Sequence, residues 1–147
     1  MIVLDVNLLL YAYDTQAPEH EKARAWVEDI FSGDEIVALP WQTISAFLRV
    51  LTYPKLMGER FTMKQAVSIV EQWLELPMVR NLDSGEDYWR HFCALLIAGD
   101  VRGNLVPDAQ LAALTIESGG ILYTNDRDFA RFPGLRWVNP LAGSPAA

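Results

Sequence analysis

The chain opens with MIVLDVN, residues 1–7. Its first four residues are apolar, Ile2 and Val3 are β-branched, and the run ends in an aspartate. A short, unbroken apolar run bounded by polar residues fits a strand buried on both faces, as in a parallel sheet. Such a strand has no solvated side, so Asp5 belongs at its carboxyl end. Ligands of open α/β sheets sit beyond that edge. The rest of the chain is therefore expected to wrap this strand and to deliver further carboxylates to Asp5.

The pattern downstream is consistent with that expectation. Residues 8–13 stay apolar and suit a short helix directly after the strand. In residues 19–31, Ala23, Trp26, Val27 and Ile30 follow the spacing of an amphipathic helix. EIVAL, residues 35–39, reads as a second strand stopped by Pro40. Residues 41–53 form a helix with Ile44, Phe47, Leu48 and Leu51 on one face, broken by Pro54, and residues 55–60 are a loop. Thr62 caps a helix over residues 63–76 that turns Ala66, Val67, Val70, Trp73 and Leu74 inward, and residues 78–82 form a strand. Asp83 or Ser84 caps the next helix, which runs through Trp89, Phe92 and Leu96 towards Gly99.

After a loop, Pro107 suits a first helical turn, and the helix runs to Glu117 or Ser118, where Gly119-Gly120 stops it. ILYT, residues 121–124, is another buried-type strand, followed by Asn125-Asp126-Arg127-Asp128, a turn over residues 129–134 and a last strand over 135–138. Strands alternating with helices imply right-handed crossovers. The fold class is α/β, an α/β/α three-layer arrangement around a central, mostly parallel sheet. One domain is expected over residues 1–141, with a loose tail over residues 142–147 and no internal repeat or linker.

Composition narrows the function. The chain has 147 residues, of which 51% are hydrophobic and 21% charged, enough to bury a core. Cys93 is the only cysteine, which rules out an internal disulfide; with His20 and His91 it does not make a structural zinc set. No apolar run spans a bilayer, and the first stretch lacks the basic start of a signal peptide, so the default expectation is a cytoplasmic protein. The net charge of −7 runs against nucleic-acid binding, which normally draws on excess Lys and Arg. Either the ligand is no polyanion, or the acidity is gathered where a cation offsets it.

The acidic positions favour the second alternative. If the first strand and the ILYT strand are central and parallel, Asp5 and Asp126 emerge at the same sheet edge, with Asp128 two residues on. The helix leading into ILYT runs antiparallel to the strands, so it starts near that edge and brings Asp108 beside them. Crowded carboxylates repel and need a cation. Hard dications such as Mg²⁺ or Mn²⁺ take oxygen ligands, and Mg²⁺ typically binds one or two carboxylates plus waters and a substrate phosphate. Taken singly, each residue has an ordinary reading: Asp5, Asp126 and Asp128 as turn or cap formers, Asp108 as a charge on a helix dipole. Asn7 and Thr124 read as strand-end hydrogen bonders or as holders of the metal's waters. Their convergence carries the functional reading. A phosphatase with Asp5 as nucleophile is disfavoured, because Asn7 stands where its acid–base aspartate is needed.

Three segments, IVLDVNLLLYAY, AFLRVLTYP and VPDAQLAALTIESGGILYTNDRDFARFPGLRWVNPL, resemble the PIN-domain family, specifically VapC-type toxins of type II toxin–antitoxin pairs. The resemblance covers nearly the whole chain. It implies a Mg²⁺- or Mn²⁺-dependent endoribonuclease, a homodimer, and inhibition by a cognate antitoxin that covers the acidic pocket. By motif, Asp5, Asp108 and Asp126 are the catalytic, metal-binding acids, with Asp128 as an auxiliary ligand. Asn7 and Thr124 support them, and Arg127 and Arg131 are candidates to meet the RNA backbone. The family's further glutamate falls at Ala46, a departure that leaves a non-catalytic module binding RNA or antitoxin as the alternative. Gln42 and Thr43, one turn earlier, are candidates to hold a water there. An antitoxin groove is expected between the helices of residues 19–31 and 41–53, lined by Trp26, Trp41 and Phe47.

Overall fold

The computed structural model describes residues 1–57 and 60–143. Among these residues, five strands form one sheet: β1 (Ile2–Leu4), β2 (Val37–Pro40), β3 (Val79–Leu82), β4 (Ile121–Tyr123) and β5 (Trp137–Val138). The spatial order is β3-β2-β1-β4-β5 and every pairing is parallel, with Ile2 opposite Val37 on one side and Ile121 on the other. β1 is thus the central strand and β4 its neighbour. All three residues of β1 are buried.

Among the described residues, seven α-helices cover the sheet: α1 (Val6–Tyr13), α2 (His20–Phe31), α3 (Trp41–Leu51), α4 (Pro54–Met57), α5 (Met63–Glu75), α6 (Tyr88–Ala98) and α7 (Val106–Ser118). Alternation along the strands sends side chains to two cores. Ile2, Leu4, Val37 and Leu39 pack with Val27, Ile30, Phe47, Val70 and Trp73 beneath α1, α2, α3 and α5. Val3, Ala38 and Leu122 pack with Phe92, Leu95, Leu111 and Phe129 beneath α6 and α7. The three-layer expectation holds, and the sheet is entirely parallel.

Several local expectations need correction. Pro54 does end α3, but it also opens α4, because proline suits a first helical turn; residues 58 and 59 of the expected loop lie outside the described residues. Val67 and Leu74 lie on the solvent side of α5. α6 starts at Tyr88, and neither Asp83 nor Ser84 caps it. Instead, the Glu117 carboxylate at the end of α7 accepts the backbone N–H groups of Gly85 and Asp87 at 2.7 and 3.0 Å. Gly119 alone is left-handed, at φ 73°; at Gly120 a Cβ would lie 2.9 Å from the Val3 side chain, so this second glycine serves close packing.

The expected aromatic groove does not form. Phe47 is fully buried, 4.7 Å from Trp73 between ring centroids, and Trp26 stacks on Tyr123 at 5.5 Å, which leaves Trp41 exposed by itself. Of the expected tail, residues 144–147 lie outside the described residues. Among the described residues, no helix is long and apolar enough to cross a membrane.

Candidate active site

Asp5 stands where β1 becomes α1. Its extended backbone makes it the N-cap, and its Oδ1 accepts the Val6 N–H at 2.7 Å. Its Oδ2 accepts the hydroxyl of Thr124 at 2.6 Å. A hydroxyl has one proton and two lone pairs. Thr124 gives its proton to Asp5 and accepts from the Asn7 amide at 3.2 Å and the Asp126 N–H at 3.0 Å, so all three of its positions are used. Asn7 Oδ1 accepts the Asn125 N–H at 3.4 Å, and the Asn139 amide donates to Asn125 Oδ1 at 2.9 Å. One polar chain therefore joins the first turn of α1, the loop after β4 and the segment after β5. Asn7 and Thr124, singled out from sequence, both lie in it; Asn125 and Asn139 carry no sequence signal, since an asparagine in a loop reads as a turn former.

Asp108 sits in the first turn of α7, as the antiparallel run of that helix requires. Its carboxyl is pushed up to about 6, first by burial and then by the negative charges of Asp5, Asp126 and Asp128, with Arg131 pulling the other way. The four aspartates therefore share one electrostatic environment. Although Asp5 as a residue keeps some exposure, its carboxyl group is enclosed, and burial raises its pKa; the Thr124 and Val6 bonds oppose that rise, and the charge of Asp126 adds to it. Asp126 caps the 3₁₀ turn Arg127–Arg131 through the Asp128 N–H at 2.8 Å, which uses one of its carboxylate oxygens.

A cavity of about 370 Å³ opens beside Asp5 and Asp108, lined also by Gln42, Thr43, Ala46, Arg49, Asn104 and Gln110. Gln42, Ala46 and Arg49 share one face of α3 through their spacing. The structure gives Thr43 and Gln42 bracing contacts: the buried Thr43 hydroxyl donates to the Leu4 carbonyl at 2.9 Å, and the Gln42 amide donates to the Pro107 carbonyl at 3.1 Å. They tie α3 to the elements that carry Asp5 and Asp108. Arg127 and Arg131 are both exposed, and Arg131 donates from Nε to the Asp128 carbonyl at 3.3 Å. Arg49, Asn104 and Gln110 were not singled out from sequence; for Arg49 the shared helix face with Ala46 was the available signal.

The donor set fits a hard dication. It is all oxygen, its mutual repulsion is visible in Asp108, and a cation relieves that repulsion. Among the described residues, no three His, Cys, Asp or Glu side chains stand together as a closed metal cage. An open carboxylate site of this kind suits an ion such as Mg²⁺ that keeps several waters.

The chain and its fold are similar to known proteins. The PIN domain family model matches residues 2–135. Ribonuclease VapC33 of Mycobacterium tuberculosis is 36% identical over 141 residues, 96% of this chain and 99% of the relative. Two solved structures share the fold: VapBC2 from Rickettsia felis, bound to a DNA fragment from its promoter, and VapC20 of M. tuberculosis, a sarcin-ricin loop cleaving toxin. The first aligns with TM-score 0.69 at 18% identity, covering 95% of this chain and 98% of the other. The second aligns with TM-score 0.66 at 21% identity, covering 92% and 99%. The chain belongs to the PIN-domain family, among its VapC-type members.

Proposed function

We propose that the protein is a Mg²⁺- or Mn²⁺-dependent endoribonuclease toxin held inactive by an antitoxin. The observation that carries the reading is the pocket at the carboxyl edge of the sheet, lined by Asp5 and Asp108, where burial first and then the charges of Asp5, Asp126 and Asp128 raise Asp108 to about 6. The ribonuclease name of the 36%-identical relative supports RNA as the substrate. Asp5, Asp108 and Asp126 would hold the ion, with Asp128 beside them. A dication there supplies positive charge for the scissile phosphate and acidifies a water. Thr124 and Asn7 keep the Asp5 carboxylate in one orientation, as outer partners of metal ligands do. Asp126 keeps its second oxygen as an acceptor for the attacking water, and Arg131 offsets charge near Asp108. VapBC assemblies among the structural neighbours support an antitoxin partner, and the family resemblance supports a homodimer.

The test uses antitoxin-free protein, structured RNA and Mg²⁺ or Mn²⁺, beside Asp5→Asn. The wild type cuts and the variant does not; equal cleavage by both removes Asp5 from the mechanism. Ala46 in the cavity lining favours one second reading, a module that binds RNA or antitoxin without cutting. An absence of saturable Mn²⁺ binding up to millimolar concentration, measured by calorimetry, selects that reading.

A further inference from the structure

Most arginines of this chain are tied down. Arg24 pairs with Glu28, Arg60 with Asp14 and Arg90 with Asp87, while Arg136 donates to the Gly119 carbonyl. Arg49 differs. It is exposed, it is the one cation in the lining of the acidic cavity, and no ion pair or hydrogen bond holds it among the described residues. Its neighbour one turn back on the same helix face is Ala46, which offers a methyl group and no charge. A net charge of −7 makes a free guanidinium beside a cluster of carboxylates conspicuous.

A polyanion entering this cavity meets Asp5 and Asp108 and needs a compensating contact. Guanidinium offers a planar, bidentate fork that matches phosphate, and it is more weakly hydrated than ammonium. The same lining carries the amides of Asn104 and Gln110, whose donors and acceptors suit base edges. At about 370 Å³ the space falls within the range of ligand sites. We propose that Arg49 grips the RNA phosphate adjoining the cleaved bond, with that nucleotide seated against Ala46. Arg49 is then a substrate-positioning residue. This rests on the ribonuclease reading above.

The experiment compares wild type, Arg49→Ala, Arg49→Lys and Ala46→Glu as full-length, antitoxin-free proteins. Anisotropy of a labelled structured RNA gives Kd against salt without added metal, and cleavage in Mn²⁺ gives KM and kcat. Arg49→Ala raises KM and Kd by ~10-fold, the scale of a charge-assisted bond, and leaves kcat within about twofold. It also lowers the slope of log affinity against log salt by ~0.7–0.9, one phosphate contact. Arg49→Lys keeps most of that slope. Ala46→Glu sets a carboxylate three residues before Arg49 and lowers the slope as the alanine variant does. A wild type that cuts RNA while Arg49→Ala retains its KM and salt slope overturns the proposal and leaves the ribonuclease reading standing. A wild type that neither binds nor cuts RNA overturns that reading, and the proposal with it.

Discussion

Replacing Asp108 with asparagine should stabilise the ion-free protein while abolishing its chemistry. The carboxyl rises from 3.8 to about 6 on folding, so between those pH values the native chain binds more protons than the unfolded one. Stability therefore falls as pH rises through that window, and the penalty is complete above pH ~7. At 1.36 kcal/mol per pH unit the rise would correspond to ~3 kcal/mol in a dry site. Asp108 is only half-buried, and screening reduces this to about 1 kcal/mol. An ionised side chain in a first helical turn also gains ~0.3–1 kcal/mol from the dipole, which asparagine forgoes. The net expectation at pH 8 with chelator is a gain of ~0.5 kcal/mol for Asp108→Asn, or one to two degrees in Tm. The gain shrinks towards pH 4, where the wild-type carboxyl is protonated in the native state. Saturating Mn²⁺ reverses the order, since an ion at 100 times its Kd adds ~2.7 kcal/mol to whichever form binds it. Urea melts at pH 8 and pH 4.5, with chelator and with Mn²⁺, read all four quantities. A wild type more stable than Asp108→Asn at pH 8 in chelator, or equal pH slopes for the two, refutes the crowding argument.

Other perturbations separate the parts of the site from the parts of the fold. Thr124→Val removes the hydroxyl that holds Asp5 Oδ2 down, so the acid limb of the activity profile moves to higher pH and Mn²⁺ affinity falls by ~10–100-fold, read by pH-rate profiles and calorimetry. Asn139→Leu frees Asn125 and through it Asn7; kcat should drop by ~10-fold with the circular dichroism spectrum unchanged. The two glycines after α7 should rank in a definite order in urea melts. Gly119→Ala meets only its left-handed backbone, at a cost of ~1–2 kcal/mol, whereas Gly120→Ala drives a Cβ into Val3 and should cost ~1–3 kcal/mol, towards the upper end because strand and turn cannot both retreat. Equal costs, or a cheaper Gly120→Ala, would contradict the packing at the start of β4.

What could be read in the sequence follows from how local each cause is. β1 was legible because a strand buried on two faces leaves an unbroken apolar run, and that run placed Asp5 at the sheet edge. Asp108 was legible because a helix feeding a parallel strand has only one direction to run. The start of α6 was not, because the segment leading into it is held at Gly85 and Asp87 by Glu117, 32 and 30 positions away. Periodicity places Val67 and Leu74 inward, but α5 buries only the stripe of Ala66, Val70 and Trp73. The groove assigned to Trp26, Trp41 and Phe47 failed for a related reason: spacing identifies a helix face and not what lies opposite it, and Phe47 faces Trp73 and Tyr13 in the core.

The acidic balance and an RNA substrate are reconciled by where the charges sit. Long-range attraction of a polyanion depends on the net field, and at −7 this chain offers none. Within the site the count is different. With the proposed dication bound, four aspartates would be set against it, Arg49 and Arg131, which would leave the site near neutrality and ease the entry of a phosphate. The guanidiniums of Arg24, Arg60 and Arg90 contribute nothing to this, since each is neutralised by its own carboxylate. The surrounding acidity would then act as a filter: an RNA segment held away from the pocket is repelled, and one that reaches Arg49, and the proposed ion when bound, is retained. Discrimination of this kind comes from the unfavourable field as much as from the favourable contacts. On this account, a partner protein that covers the pocket needs basic rather than acidic groups to do so, because it faces the same aspartates without bringing a cation of its own.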